Sequence, residues 1–434
     1  MTKGEGGKVW DVAVIGGGPA GMMAAARAAE RGAKVILLEK NAGLGKKLLI
    51  TGGGRCNVTN AEFDNRALLA KFKEAGSPRS GGTGEYLFSA FAQWSVRETL
   101  DFFHGRNMLT KVEPEQRVFP VSDKAESVWQ VLVDYLAQGK VAVCTGAEVT
   151  GFKVEAKKIV AVRLKDKTEI KARSFILATG GKSHPETGST GEGLGWLAAL
   201  GHTVVEPSAS LVPLKVGDAW VKRLQGVSLQ NIKISLYQNG VKQASQLARK
   251  KGKILFTHFG VSGPTILNLS QEVSELLKYG EVTLALDLLP SLDQPAPDRE
   301  LQKLFHEHGK KKFKNVLSEI IPPAIAPIIA ELSAINLETD GSNITRDERL
   351  RLVKLVKSLP IHITGLLGED KAIVTSGGVK LDEVNFKTMC SRLYPNLYLI
   401  GDVLNINRPS GGYSLQLCWT TGYVAGNNVG VTGK

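Results

Sequence analysis

Apolar and polar positions recur along this chain with different periods, and the changes of period divide it. Val9 to Lys40 (VWDVAVIGGGPAGMMAAARAAERGAKVILLEK) opens on an apolar run, Val9 and Val12 to Ile15. A glycine turn, an Ala-rich helical stretch and a second apolar strand ending at Glu39 follow. Contiguous apolar strands separated by a helix predict a parallel α/β unit. Helical spacing returns over Phe88 to Phe103 and over Asp123 to Gln138, where Asp123 and Glu126 fit a capping box and Val128, Leu132, Tyr135 and Leu136 make one face. From Val141 to Ala178 the period falls to two. VAVCT, EVTGFKV, KIVAVRL, TEIKA and SFILA read as short strands, with a three-stranded antiparallel meander among them, running into Ala178-Thr179-Gly180-Gly181. A glycine-rich loop, KSHPETGSTGEGLG, then leads into the helical WLAALGH.

Composition shifts near Pro207. Strand-like segments at Leu211 to Val216, Ile232 to Tyr237, Ile254 to Phe256 and Val282 to Leu286, with an Asn239-Gly240 hairpin signal, predict a β-rich, barrel-like insertion over residues 207–297. LQKLFHEH, FKNVLSEII, IAPIIAEL and ERLRLVKLVKSL predict a helical subdomain over 298–360. Residues 361–434 return to the opening style. Ala372 to Val374 reads as a strand and is followed by Ser376-Gly377-Gly378. Leu397 to Ile400 is a strand ending at Gly401-Asp402, and a turn at Ser410 to Gly412 enters a helix near Tyr413. The expected organisation is therefore a discontinuous Rossmann-like domain, 1–206 with 361–434, and a looped-out insertion.

Gly16, Gly18 and Gly21 fit G-x-G-x-x-G between a strand and a helix. Gly16 permits the tight turn, Gly18 lets a pyrophosphate approach the backbone, and Gly21 lets helix and strand pack closely. Glu39 sits where a carboxylate meets ribose hydroxyls. Taken alone the motif could be a glycine-rich turn; with both strands, the helix and the acid it predicts a dinucleotide site, without saying which dinucleotide. NAGLGKKLLITGGGRCNVTN, with Lys46, Lys47 and Arg55, adds cations and backbone amides beside it, as an anion site would. The loop Ser77 to Gly84 reads as mobile.

The bulk numbers exclude more than they identify. A 434-residue chain with 43% hydrophobic and 22% charged residues is an ordinary globular protein. The short polar start, MTKGEGGKVW, shows no signal peptide, and the apolar Ile320 to Leu332 is short and interrupted by prolines, so a cytoplasmic protein without membrane contact is expected. Cys56, Cys144, Cys390 and Cys418 form no C-x-x-C, and no zinc-ligand spacing occurs, so neither a dithiol centre nor a metal is expected. His306 and His308 are read as solvated. The net charge of +13 comes from scattered lysines, dense only at Arg249 to Lys253 and Lys310 to Lys314 and without aromatic interleaving. That favours a basic surface steering anionic cofactors over a nucleic-acid interface.

The motifs GGGPAG, LLEKNAGLGKKLLITGGGRCNVTN, FPVSDKA, ATGGKSHPETGSTGEG with LGH, FTHFGVSGP, VTSGGVKLDEVNFKTM and LYLIGDVLNINRPSGGYSLQ resemble the YhiN/BaiN-type flavoproteins from Val9 to about Gly426. That group includes proteins described as aminoacetone oxidases, within the glutathione-reductase-like FAD fold. The resemblance implies FAD. Gly16, Gly18, Pro19, Ala20 and Gly21 would hold the pyrophosphate, Glu39 and Lys40 the adenosine side, and the backbone of Val149 the adenine. Lys46, Leu48, Gly54, Arg55, Cys56 and Asn57 would run along ribitol and flavin, while Thr179, Gly180 and Gly181 close over the nucleotide. Gly401 and Asp402 would meet the ribitol or pyrophosphate. The amides of Gly412, Tyr413, Ser414 and Leu415 would face the pyrimidine edge of the ring. Leu417-Cys418-Trp419 departs from the family, in which an aromatic or small apolar residue follows the SLQ or NLQ element, and this leaves the role of Cys418 open.

Flavin would carry the hard step, so no nucleophile or metal is needed. Cys56 reads as a packing residue before a redox thiol. His184, His258 and His362 read as hydrogen-bonded structural histidines before general bases, and Tyr413 either caps the flavin or packs. With a single complete nucleotide motif, NAD(P)H could serve only as a transient co-substrate. The expected function is an FAD-dependent oxidoreductase of a small organic molecule, in oxidase form on an amine or aminoketone. The rivals are an NAD(P)H-dependent reductase of an enone-like bond and, from another class, a flavin-containing RNA-associated or regulatory protein. The insertion is expected to roof the substrate pocket.

Overall fold

The computed structural model describes residues 9–74, 84–238, 248–293, 295–368 and 374–430. The Asn239-Gly240 signal, Ser77 to Thr83 and Ala372 lie outside them. The chain divides into two compact units, Met1–Ala209 with Ala372–Lys434, and Ser210–Lys371. Each has its own apolar core.

The first unit begins β1 (Val9–Ile15), α1 (Pro19–Glu30), β2 (Val35–Glu39). Because β1 lies between parallel neighbours, Val12 to Ile15 are all buried, which is why this strand carries a run rather than an alternation. After α2 (Lys46–Ile50), β3 (Thr59–Asn60) and α3 (Asn65–Leu69), the helix expected from Phe88 to Phe103 is two, α4 (Gly84–Phe91) and α5 (Val96–His104). α5 restarts at Ser95, whose N–H donates to Glu98 at 2.8 Å. Next come β4 (Thr110–Glu113), β5 (Arg117–Pro120) and α6 (Ala125–Gln138). The expected capping box of α6 is not formed: its N-cap is Lys124, and the Asp123 carboxylate instead takes Lys111 Nζ at 2.5 Å and Arg55 Nε at 2.9 Å.

β6 (Ala142–Thr145) pairs in parallel with β2 rather than with the strands after it. β7 (Val149–Glu155), β8 (Lys158–Leu164) and β9 (Glu169–Leu177) run antiparallel. β9 merges the two runs TEIKA and SFILA, because its far half pairs in parallel with β1, where Phe175, Ile176 and Leu177 are covered on both faces. α7 (Glu192–Ala199) and β10 (Val204–Ser210) follow.

The second unit contains β11 (Leu214–Val216), α8 (Ala219–Arg223), β12 (Ser228–Gln238), β13 (Ala248–Thr257), β14 (Gly260–Ser262), α9 (Pro264–Leu277) and β15 (Val282–Asp287). α10 (Ala296–Glu307), α11 (Phe313–Leu317), α12 (Ala326–Ser333), α13 (Arg346–Lys357) and β16 (Leu359–Leu366) complete it. The strands close a barrel in the order β11-β14-β13-β12-β15-β16. A boundary at 361 therefore cuts β16, whose pairing with β11 and β15 closes the barrel. The helices of 298–360 share one core with the barrel, Phe305, Phe313, Ile329 and Leu352 packing with Ile234, Phe256 and Leu284. β11 starts only at Leu214, since Leu211 has φ 54°. The unexpected helix α9 enters on Pro264 and buries Ile266, Leu269 and Val273.

The chain returns as β17 (Val374–Val379), β18 (Val384–Asn385), β19 (Cys390–Ser391), β20 (Leu397–Leu399) and α14 (Tyr413–Asn428). β17 pairs with β10. Among the described residues the main sheet has nine strands, ordered β18-β19-β20-β9-β1-β2-β6 with β7 and β8 attached through β9. Ser376-Gly377-Gly378 forms the interior of β17, so the strand that opens near Ala372 continues through these glycines. A Cβ on Gly377 would lie 2.6 Å from Glu206 O, and one on Gly378 2.7 Å from Val403 O. Buried His202 bridges two segments of this return, Nδ1 to Glu383 Oε2 at 2.9 Å and Nε2 to Ser391 Oγ at 3.1 Å.

Gly377→Ala should lower stability by more than about 1 kcal/mol, because φ there is +105° and the methyl meets backbone. Urea unfolding checks this, and an unchanged midpoint would show that neither the backbone conformation nor the crowding at Gly377 demands glycine.

Candidate functional site

The three motif glycines differ in what requires them. A Cβ on Gly16, at φ +105°, would stand 2.5 Å from Ala178 O, and one on Gly21 only 1.9 Å from Gly16 O, so packing within the chain excludes side chains at both. Gly18 has an ordinary φ of −78°, and a Cβ there would meet nothing within 4 Å. Neither conformation nor packing demands glycine at 18; the space it leaves lies at the N-terminus of α1. That helix has no side-chain cap, Pro19 in its first turn and no acidic residue there, so the positive end of its dipole is uncompensated by the chain. Glu39, 8% exposed, braces the turn: Oε2 accepts from Gly17 N–H at 2.7 Å, and Oε1 accepts from Asn41 N–H at 2.8 Å and Asn41 Nδ2 at 2.7 Å. A carboxylate has about four lone-pair sites, so Oε2 keeps one for a further donor.

The charges of the neighbouring loop are largely engaged by the protein. Lys40 Nζ donates to Thr190 Oγ1 at 2.9 Å and Glu192 at 3.0 Å. Arg55 is held by Glu113 and Asp123 and lies 4.2 Å over the Phe119 ring. Asp402 pairs with Arg408, itself 3% exposed, which also donates to Ile406 O at 2.7 Å and Ser414 Oγ at 3.1 Å. Lys46 is exposed and, among the described residues, reaches only Asn41 Oδ1, at 3.3 Å. Lys47 points inward instead. Its Nζ has Ser183 Oγ at 3.4 Å and no ion pair among the described residues, and burial pushes its ammonium below the usual lysine value while Asp402 opposes the shift. Sequence reading named Lys47 among the cations of this loop but gave it no place along the cofactor, and it missed Arg408, which stands inside a segment it singled out.

Around these charges the backbone is opened by glycines. Gly52, Gly53 and Gly54 have φ of +60°, +70° and +82°. Leu48 and Cys56 are fully buried, and burial alone holds the Cys56 thiol well above its usual value. Asn57 Oδ1 and Thr179 Oγ1 are buried with no hydrogen-bond partner among the described residues. Gly180 has φ +76°, and Gly181 lies against Thr375. Gly401 stands beside α1, its Cβ position 3.3 Å from the Ala20 methyl and 3.9 Å from Cys418 Sγ. The Cys418 thiol is pushed up to about 12, chiefly by burial. Gly412, the N-cap of α14, presses on Thr59, where a Cβ would come within 2.3 Å of the carbonyl. Tyr413 and Leu415 are buried, and Tyr413 packs edge-on to Phe72 at 6.1 Å. Val149 opens β7 and is buried as well.

The candidate histidines are each tethered or peripheral. His184 Nδ1 lies 2.8 Å from Glu186. In the barrel unit, His362 is held by Asp218 through its N–H at 2.6 Å and Nδ1 at 2.9 Å, and exposed His258 packs on Phe259. His308, read as solvated, is 3.1 Å from Glu319.

A family model described as the HI0933-like protein Rossmann domain matches residues 10–428. The chain belongs to this family. It is similar to the 3-dehydro-bile acid delta(4,6)-reductase of Clostridium scindens, 32% identical over 422 residues covering 96% of this chain and 98% of that protein. It is also similar to the ribosomal RNA dihydrouridine synthase of Escherichia coli K12, 26% identical over 433 residues covering 97% and 98%. Among solved structures, the 3-ketosteroid-delta4-(5alpha)-dehydrogenase of Rhodococcus jostii RHA1 shares the fold, with a TM-score of 0.53 at 14% identity over 99% of this chain and 98% of that one. The chain is thus an FAD-dependent oxidoreductase of the YhiN/BaiN type. The site suits FAD: the open space at Gly18, the uncapped start of α1 and the unpartnered Asn57 and Thr179 atoms are what a dinucleotide would fill. No helix among the described residues is long and apolar enough to cross a membrane.

Gly18→Ala should fold as the parent does yet lose at least about tenfold in FAD affinity, whereas Gly21→Ala should lower the melting temperature as well. Flavin titration and thermal melts separate the two, and parental FAD affinity in Gly18→Ala would move the phosphates away from this turn.

Proposed function

We infer that this chain reduces a carbon–carbon double bond conjugated to a carbonyl, with FAD bound along the first unit. The observation that carries the reading is similarity over nearly its whole length to a protein named as a delta(4,6)-reductase of a 3-dehydro steroid acid. The second relative's name supports it by chemistry, since dihydrouridine is uridine saturated across a ring bond conjugated to a carbonyl. The oxidase alternative for an amine or aminoketone uses the same cofactor but finds no support in either name.

Bound FAD supplies a ring that takes up and gives back a hydride, which carries two electrons and one proton. The chain's residues bind and orient it. Amides at the start of α1, behind Gly16, Gly18, Pro19, Ala20 and Gly21, would meet the diphosphate, and the inward ammonium of Lys47 would offset its charge. The free lone pair of Glu39 would take a ribose hydroxyl, beside Lys40 and the Val149 backbone. Asn57 Oδ1 and Thr179 Oγ1 would each gain a partner. Leu48, Gly54, Cys56, Gly180 and Gly181 would line the path, with Gly401 and the Arg408-held Asp402 on its far side. The N-terminal amides of α14, Gly412 to Leu415, would favour negative charge on the ring's edge. Arg55 and Lys46, engaged or exposed, would act on loop shape and solvation rather than on the cofactor.

A second reading, resting on the second relative's name alone, puts the same reduction on a uracil ring in RNA. Anaerobic mixing with NADPH should bleach the flavin within seconds. A 3-oxo-Δ4 steroid or a uridine-containing RNA should then restore the colour and gain two hydrogens by mass, and whichever does so names the substrate class. A flavin that resists NADPH but is bleached by an amine would overturn the reductase reading. Separately, Lys47→Met should weaken FAD binding about tenfold, about 1.4 kcal/mol, while Lys46→Met leaves it unchanged by titration.

A further inference from the structure

Behind the two segments assigned to the flavin ring lies a hydrogen-bonded cluster with no exposed atom. Gln416, Thr59, Thr99 and Thr420 are all 0% exposed. Thr59 Oγ1 donates to Gln416 Oε1 at 2.6 Å, and Gln416 Nε2 donates to Thr99 Oγ1 at 3.0 Å and Thr420 Oγ1 at 3.1 Å. The orientation of the carboxamide is forced. The Thr99 and Thr420 hydroxyls already donate, at 2.9 Å each, to Ser95 O and Trp94 O, so toward Gln416 they can only accept. Among the described residues Thr59 has no other acceptor than Asn60 O at 3.4 Å. A side chain that accepts on one end and donates twice on the other is needed, and glutamine supplies it.

The cluster joins three elements that sequence separates. Thr59 belongs to β3, directly after the 54–57 loop; Thr99 belongs to α5; Gln416 lies one turn into α14, its N–H donating to Gly412 O at 3.0 Å. The contact is tight, since Gly412 abuts the Thr59 carbonyl. Two bonds reinforce it: Asn60 Nδ2 donates to Gly411 O at 3.1 Å, and Trp419 Nε1 donates to Val58 O at 2.9 Å.

We propose that Gln416 is a positioning residue that fixes the α14 N-terminal amides against the loop at 54–57 and thereby sets the redox potential of the bound flavin. This rests on the reading that the ring lies at these two segments. With the latch closed, the amides stand where negative charge collects on reduction, and a preorganised dipole there costs no rearrangement. Opening the latch lets the first turn of α14 withdraw, and the reduced form loses more than the oxidised form does.

The test is the two-electron midpoint potential of the FAD-loaded protein in Gln416→Leu, Thr59→Val and, as a control, Ser391→Ala. Gln416→Leu should shift the reduced-to-oxidised ratio about tenfold toward the oxidised form, a fall of about 30 mV. Thr59→Val should shift it the same way by less. Ser391→Ala breaks a separate hydrogen-bonded cluster, around buried His202, and should lower the melting temperature without moving the potential. If Gln416→Leu fails to fold, Thr59→Val decides. Parental potentials in both latch variants, or an equal shift in the control, would overturn the proposal. A parent protein that takes up no flavin would instead overturn the reading beneath it.

Discussion

The backbone of α1 lies closer to its surroundings than side chains allow, and the first unit is arranged around that approach. On the strand side, Gly21 sits against Gly16 O and Gly16 against Ala178 O. On the other side, α14 presents Gly422 and Gly426, whose Cβ positions would fall 2.6 Å from Ala20 O and 2.5 Å from Ala24 O. One short helix is thus gripped between the sheet and the last helix of the chain. Methyl groups at these crossings would part the helices and expose core at about 25 cal/mol per Å². The grip also has a functional consequence: it brings Gly401, nearly four hundred residues away, against Ala20 at the dinucleotide turn.

Much of the fold could be read from the pattern of residues where that pattern has one physical cause. Strands covered on both faces carry apolar runs, so β1, β2 and β20 were visible, and the glycine spacing named the turn between β1 and α1. Partners were less legible. Alternation in VAVCT and TEIKA says that a strand is half-covered, not what it pairs with, so β6 and the merger of β9 came only with tertiary structure. Local chemistry misled in the same way at Asp123, whose carboxylate could cap α6 but is held by Lys111 and Arg55. Ser376-Gly377-Gly378 has the composition of a turn, yet its glycines are needed because two carbonyls crowd a strand.

The site was legible through its glycines more than through its charges. Arg55, Lys40 and Asp402 stand beside a cofactor loop in sequence, yet each is engaged within the protein, Arg55 and Lys40 by partners far along the chain and Asp402 by nearby Arg408. Lys46 and Lys47 are neighbours, but adjacent residues on a helix face about 100° apart, and only the second turns inward. No spacing rule decides which. Gln416 was equally hidden, because its role depends on one hydroxyl that donates to it, from Thr59, and two, from Thr99 and Thr420, that donate elsewhere and accept from it.

The most direct test of the account is a crystal structure of the FAD-loaded protein. It should show the diphosphate at the space beside Gly18 within hydrogen-bonding distance of the first amides of α1, the adenosine ribose at Glu39, and the pyrimidine edge of the ring toward the start of α14. FAD bound with its diphosphate away from Gly18, or with its ring turned from Gly412, would contradict it.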